Sequence, residues 1–401
     1  MNFSRTNLER LIFDFVAYHL GRLRGGFLPP GETWNTEDLM NNEPVFADSL
    51  ELVTLAGMLT EAFGIHHSGL EDLLLGRPSV GRWAEILEKS LHHWQEEIVF
   101  FTSGSTGEPR KITHSLPLLI QEIQIMYTQR IPQGASWQAR RVVSQVNANH
   151  IYGFLFTLVL PELYNLPVVR VGPLWSKPED GDLVVTVPSI LEQWHSRGES
   201  SPKNCRIISS TAPLPPSLGA WFEQKGMPVL EIYGSSETGG IATRTGNSRE
   251  FELLPYWNPV TSSESGIPDS LLRITPEGNE IVTPLPDKVS WISQRTLVPA
   301  GRKDKAVQIG GHNVFPDRIA KILESLSGVQ EARVRTYEDQ GHTLLKAFIV
   351  PDHESTFDDL QNFEQEIRKQ VAPLLASYQR PRQYTFGQRI PKNSMGKEQD
   401  W

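Results

Sequence analysis

Apolar residues Leu8, Leu11, Ile12, Phe15, Val16 and Leu20 recur at three- and four-residue spacing, which predicts one amphipathic helix near the start of the chain. A stretch rich in Gly, Pro, Asn and Glu runs from Gly25 to Val45. Asp48-Ser49-Leu50-Glu51 then opens a second helix, with Asp48 or Ser49 as its N-cap. Leu55, Met58, Leu59 and Phe63 carry its apolar face to Gly64, the expected C-cap. Pro78-Ser79-Val80 precedes a third amphipathic stretch over 83–91.

Beyond residue 94 the pattern changes. Short apolar runs alternate with amphipathic stretches, as at Ile98-Val99-Phe100-Phe101, Val142-Val143, Val168-Val169, Leu183-Val184-Val185, Ile207-Ile208 and Val229-Leu230. Such alternation predicts an α/β layered domain with its ligand-binding turns at the carboxyl ends of the strands. After Gly301 it predicts a small α+β unit: a hairpin over 306–314, a helix from Pro316, strands near 329–336 and 344–350, and a helix over 357–376. The expected division is a helical segment (1–93), a large α/β domain (94–300) and a C-terminal domain (301–401) hinged at Gly301.

Composition narrows the function classes. The chain has 401 residues, enough for two or three domains with real cores. Its net charge of −9 argues against a nucleic-acid surface. The longest apolar run, 151–160, is shorter than the ~20 residues a membrane helix needs, so it reads as a core element. Glu9 and Asp14 interrupt the N-terminal apolar positions, which argues against a signal peptide. A single cysteine, Cys205, fits a reducing cytoplasm and reads as a small buried residue. His66-His67 and His92-His93 are adjacent pairs whose side chains diverge by about 100° on a helix, so neither chelates one ion easily.

The segment richest in chemistry is Thr102-Ser103-Gly104-Ser105-Thr106-Gly107-Glu108-Pro109-Arg110-Lys111, directly after an apolar strand-like run. Its glycines let the backbone approach a phosphate, and its hydroxyls and cations add hydrogen bonds to the phosphate oxygens. No Gly-Lys-Ser/Thr follows at Walker spacing. Downstream come His150-Ile151-Tyr152-Gly153-Phe154, Ser209-Ser210-Thr211-Ala212-Pro213-Leu214, Tyr233-Gly234-Ser235-Ser236-Glu237, Gly301-Arg302-Lys303-Asp304, Gly310-Gly311 and Pro391-Lys392-Asn393-Ser394-Met395-Gly396-Lys397.

Taken in this order, the motifs resemble those of the adenylate-forming enzymes: acyl- and aryl-CoA synthetases, peptide-synthetase adenylation domains and luciferases. The resemblance implies an α/β adenylation domain with a mobile α+β C-terminal domain. It also implies ATP, Mg2+ and CoA or a phosphopantetheine thiol as cofactors, and a small carboxylic acid as substrate. Residues 102–107, Arg110 and Lys111 would bind phosphate, and His150 would gate the acyl pocket. Thr211, Ala212 and Pro213 would border the adenine, with the Tyr233 ring near it. Gly234 and Ser236 would face the α-phosphate, and Glu237 would hold the metal. Arg302 precedes the hinge residue Asp304, Gly310-Gly311 would line the pantetheine channel, and Lys397 would be the catalytic cation of adenylation.

Two departures stand out. Arg110 occupies the usual lysine position of the phosphate loop. The family's Thr-Gly-Asp, whose aspartate accepts from the ribose hydroxyls, aligns with Trp291-Ile292-Ser293-Gln294-Arg295, and arginine cannot accept. On that alignment, Arg295→Asp should tighten ATP binding.

Asp48-Ser49-Leu50, followed by Glu61-Ala62-Phe63-Gly64-Ile65, also resembles an acyl carrier protein, with Ser49 at the pantetheinylated position and Phe46 replacing the usual glycine. Either these helices compactly replace the hundred or more residues that usually precede the phosphate loop, or a carrier module is grafted onto a shortened core. The connection from Leu91 to Ile98 spans only roughly 20 Å when extended, so the segment should be docked and Ser49 unmodified. The expected function is an ATP-dependent acid–thiol ligase passing its acyl group to CoA or a separate carrier protein, similar to ligases of bacterial polyketide or anthraquinone-type pathways. The alternatives are a homologue that has lost adenylation and binds carrier or synthase partners, or a carrier-modifying protein.

Overall fold

The computed structural model describes residues 1–24, 34–93, 96–103, 109–131, 137–172, 175, 177–198, 204–245, 248–261, 266–303, 306–310, 312–339, 342–352, 359–391 and 399–401. The chain folds as two compact units. Met1–Leu20, Leu28–Thr102 and Arg110–Lys303 form the first; Gly21–Phe27, Ser103–Pro109 and Asp304–Trp401 form the second.

The first unit is organised by a nine-stranded sheet with the spatial order Asp287–Trp291, Thr296–Arg302, Phe251–Leu253, Gly239–Thr245, Val229–Ser235, Arg206–Ser209, Asp182–Thr186, Arg141–Ser144, Val168–Arg170. The last five of these are joined by parallel ladders. From Val229–Ser235 towards Asp287–Trp291 every pairing is antiparallel. The strand–helix alternation read from the pattern therefore ends at about residue 235. Among the described residues from Gly239 to Arg302 the regular structure is strand alone, including a separate three-stranded sheet of Trp257–Val260, Ser270–Ile274 and Glu280–Pro284.

Alternate residues of the parallel strands enter two cores. Val184, Ile207 and Val229 pack with Ile190, Leu191 and Phe222 of the helices Pro188–Arg197 and Pro216–Gln224. On the other face Leu183, Val185 and Ile208 join a larger core that takes in Leu8, Leu11, Ile12, Phe15, Val16 and Leu20 of the helix Arg5–Leu23. The same core holds Leu55, Leu59 and Phe63 of Ser49–Phe63 and Trp83 and Leu87 of Val80–His93. Residue 93 is thus not a boundary between compact units: the N-terminal helices cover one face of the sheet. Asp48 caps Ser49–Phe63 through a reciprocal capping box with Glu51, and Gly64 ends it in the left-handed region at φ 61°.

The second unit packs the helices Pro316–Glu324 and Leu360–Val371 with the sheet Val329–Asp339, His342–Pro351, Gln383–Phe386. Its last residues are anchored. Lys346 Nζ donates to Asp400 at 2.6 Å, the Arg335 guanidinium lies 4.4 Å over the Trp401 ring, and Gln399 N–H donates to the Pro391 carbonyl at 2.9 Å. Among the described residues no helix is long and apolar enough to cross a membrane. Cys205 is fully buried, and burial pushes its thiol well above the usual range.

Candidate active site

The strand Val229–Ser235 sits where the sheet changes from parallel to antiparallel, and Tyr233 lies near its carboxyl end. The Tyr233 hydroxyl donates to Asp287 Oδ2 at 2.7 Å. Asp287 opens the strand Asp287–Trp291 and is the register partner of Arg302, whose Nη1 stands 3.9 Å from Asp287 Oδ1. Burial, and then the adjacent Asp287 carboxylate, push the Tyr233 phenol up, so it stays a donor. Asp287 is buried, and its Oδ1 has no hydrogen-bond partner among the described residues. An acceptor oxygen held out of water with spare capacity suits a ligand hydroxyl.

The turn after Tyr233 is built from small and hydroxyl residues. A Cβ on Gly234 would lie 2.2 Å from the Gly239 carbonyl oxygen, so only glycine fits. Ser235 Oγ accepts the N–H groups of Glu237 and Thr238 at 3.2 and 3.3 Å, folding the chain so that Glu237 follows directly. Beyond it Gly240 is held on both sides. Its N–H donates to Glu122 at 2.9 Å, and its carbonyl accepts from the Tyr256 hydroxyl at 3.1 Å and Trp257 Nε1 at 2.8 Å. Glu122 is buried on the helix Leu116–Ile125, and burial pushes its carboxyl up against the opposing pull of Arg273.

The strand that leaves the phosphate-loop region, Pro109–Ser115, meets the same turn. Arg110 Nη1 donates to Glu237 Oε1 at 3.2 Å, and Lys111 is ion-paired with Glu61. His114 Nε2 lies 2.6 Å from the Ser236 carbonyl and must carry a proton there, because a carbonyl only accepts. Residues 104–107 and the side chains of Thr102 and Ser103 lie outside the described residues, as do Asp304, Gly311 and Lys397. Gly310 adopts φ 57° at the turn of the hairpin Val307–Ile309 and His312–Val314. Ser49 is exposed on the first turn of its helix.

The turn after Arg206–Ser209 carries Thr211 at φ 77°, a conformation rare for a β-branched residue, with Thr211 Oγ1 buried and unpartnered among the described residues. A nearly buried pair fixes its far end. Arg244 Nε donates to Glu231 at 2.6 Å, Glu231 accepts Leu214 N–H at 2.9 Å, and Arg244 Nη2 donates to the Leu214 carbonyl at 2.7 Å. Ser210 Oγ ties the turn to the Ile232 carbonyl at 3.0 Å, so Thr211 to Pro213 adjoin the Tyr233 strand. His150 caps the helix Ile151–Phe154 and is half-buried, whereas Tyr152 and Phe154 are core residues.

The structure gives Arg295 a task other than the one its alignment with the ribose-binding aspartate implied. Arg295 lies in the turn between Asp287–Trp291 and Thr296–Arg302, and its guanidinium donates to the carbonyls of Trp257, Leu253 and Leu254 at 3.0–3.2 Å. It is a clamp on the neighbouring chain. A carboxylate the sequence reading passed over is Asp287, which stands in a Pro-Leu-Pro-Asp run without the Thr-Gly that marks the family's aspartate. Its pairing opposite Arg302 shows only once the two strands are in register.

A magnesium ion bound with nucleotide needs only one or two protein carboxylates beside the phosphates. Glu237, partly exposed beside the Ser235 and Ser236 hydroxyls, is an oxygen donor set of that kind. Among the described residues no cluster of three or more metal-binding side chains occurs.

Comparison with known proteins shows the family. The model of the AMP-binding enzymes matches residues 66–280, and that of the AMP-binding enzyme C-terminal domain matches 318–397. A 4-coumarate–CoA ligase of Halorhodospira halophila is 32% identical over 97% of this chain and 97% of its own length. One from Rhodobacter capsulatus is 30% identical over 98% of this chain and 100% of its own. The amide bond synthetase McbA of Marinactinospora thermotolerans shares the fold, with a TM-score of 0.60 at 16% identity over 97% of this chain and 92% of its own. An o-succinylbenzoate CoA synthetase of Bacillus subtilis superposes with a TM-score of 0.59 at 18% identity, over 75% of this chain and 67% of its own. The chain belongs to the AMP-binding enzymes. Within them it is an AMP-forming acid–thiol ligase, and its short N-terminal region is shared with ligases matched over nearly their full length.

Proposed function

We propose that this protein is an ATP- and Mg2+-dependent aryl-acid–CoA ligase whose substrate is a small planar acid of the 4-coumarate kind. The single observation that carries the reading is the buried, half-satisfied Asp287 between Tyr233 and Arg302. It supplies the acceptor for ribose hydroxyls that adenylation requires. The reading in which adenylation is lost rested on Arg295 and on the short N-terminal region. It loses support because Arg295 is engaged by backbone carbonyls and the short region is shared with 4-coumarate–CoA ligases.

In the first half-reaction, the substrate carboxylate attacks the α-phosphorus of ATP and pyrophosphate leaves. Thr102, Ser103, Gly104, Ser105, Thr106 and Gly107 would cradle the phosphates together with Arg110 and Lys111. Ser236 would donate to an α-phosphate oxygen, and Glu237 would hold the magnesium, which when bound neutralises charge on the phosphates. Lys397 would stabilise charge building on the bridging oxygen. In the second half-reaction a thiol attacks the acyl carbonyl and AMP leaves, with Gly310-Gly311 lining the thiol's path and Asp304 acting as the hinge residue.

The acceptor has a second candidate. A 3,4-dihydroxybenzoate–[aryl-carrier protein] ligase of Bacillus anthracis is 25% identical over 76% of this chain, which favours testing a separate acyl carrier protein beside CoA. A cytoplasmic place in secondary metabolism, such as polyketide assembly, accords with either acceptor. The test is to incubate the protein with 4-coumarate, ATP and Mg2+, with and without CoA. Acid-dependent pyrophosphate exchange and one AMP per thioester are expected. Exchange without CoA thioester moves the acceptor to a carrier, and no acid-dependent exchange with any aryl acid contradicts the proposal.

A further inference from the structure

The helix Arg5–Leu23 lies ahead of the segment that the AMP-binding model matches, yet its polar side chains reach the stretch that leads into Ile151–Phe154. Arg10, Asp14 and Tyr18 follow one another at four-residue spacing, so they form one stripe along the helix. Arg10 Nη1 donates to Thr157 Oγ1 at 3.0 Å, and its Nη2 donates to the Thr157 carbonyl. Asp14, 1% exposed, accepts the Ala148 N–H at 2.7 Å through Oδ2 and is ion-paired with Arg170 through Oδ1. Arg170 in turn donates to Asn147 Oδ1 at 3.1 Å. A buried carboxylate is costly unless such bonds are made, so the backbone of 147–148 is held firmly to this helix. One turn beyond Asp14, the Tyr18 ring meets His150 edge-on, with centroids 4.6 Å apart, and both rings are only half-buried.

We propose that this helix forms one wall of the acid-binding site, with Tyr18 a specificity-determining residue for flat aryl acids and Asp14 a positioning residue for the segment bearing His150. The inference rests on the reading that His150 borders the acid. Two rings packed edge to face present a narrow aromatic surface, which favours a planar π-system over a puckered ring of similar size.

The test measures kcat/KM for 4-coumarate and for a cyclohexyl-acrylic analogue in wild type, Tyr18→Ala, Tyr18→Phe, Asp14→Asn and His150→Ala, with the KM for ATP recorded in each. Tyr18→Ala should lower the aryl-to-alicyclic ratio by up to about tenfold, the value of one aromatic contact, while Tyr18→Phe keeps it. Asp14→Asn should raise the acid KM by about tenfold with the ATP KM unchanged. If Asp14→Asn does not fold, the Tyr18 pair carries the test. A ratio shifted by His150→Ala but not by Tyr18→Ala overturns this inference alone. A ratio shifted by neither overturns the reading of His150 as well. Acid and ATP KM rising together in Tyr18→Ala would reduce the residue to a structural support and overturn the specificity role.

Discussion

The parallel and antiparallel halves of the nine-stranded sheet serve the site differently. In the parallel half the candidate site residues lie beyond the strands, in turns at their carboxyl ends: His150 after Arg141–Ser144 and Thr211 after Arg206–Ser209. In the antiparallel half they lie on the strands, as Asp287 and Arg302, facing each other across a ladder. Turns can take Gly, Ser and Thr in recognisable runs, whereas a ladder brings together residues distant in sequence. The first half announces itself by motif and the second by register.

If that contrast holds, the largest effect should come from a motif residue. Lys397→Ala should cut adenylate formation by on the order of 10²–10³ and spare thioester formation from pre-made acyl-AMP, as stopped-flow of the two half-reactions would measure. Equal loss in both would remove Lys397 from that role.

Arg295 sharpens the comparison from the antiparallel side. Arg295→Asp takes the donors from three backbone carbonyls and sets a carboxylate against them. Denaturant unfolding should show a loss of about 2–4 kcal/mol, with no gain in ATP affinity. Tighter ATP binding would restore the original alignment.

A smaller effect is expected at His114, which meets the turn after Val229–Ser235. Burial holds its imidazole below the usual 6.5, outweighing the hydrogen bond to Ser236. The folded protein therefore takes up that proton less readily than the unfolded chain, so the stability contribution is full above about pH 6.5 and is lost as the pH falls. Thermal midpoints measured between pH 7.5 and 5 should fall more steeply for wild type than for His114→Gln. Parallel profiles would contradict this.

For Ser49 no effect is expected. Incubation with CoA and a broad-specificity phosphopantetheinyl transferase should leave the intact mass unchanged, and an adduct abolished by Ser49→Ala would make the segment a working carrier.

Legibility followed the physics of each region. Asp182–Thr186 is buried along its whole length, so an uninterrupted apolar run betrays it. Glu280–Pro284 is exposed at most positions, and Asp287–Trp291 mixes Lys288 and Ser290 with Val289 and Trp291 over only five residues. Two periods of alternation cannot be told from a loop. The N-terminal helices were visible from spacing and caps, and their docking from the short connection to Ile98, but the sheet face they cover was not, because an amphipathic stripe does not name the surface that covers it. The tasks of Glu122 and Asp14 escaped notice for a related reason. Each is a lone carboxylate in an apolar stretch, and its value lies in backbone N–H groups more than a hundred residues away.

The central claim is that Asp287 receives the nucleotide's ribose. Isothermal titration with Mg2+ and ATP, run on wild type and on Asp287→Ala, tests it most directly. Wild type should bind saturably, and Asp287→Ala should bind roughly 10²-fold more weakly, the loss of one or two charge-assisted hydrogen bonds, with its thermal midpoint showing that it remains folded. Equal affinity in the two proteins, or no saturable binding by wild type at millimolar ATP, would contradict the account.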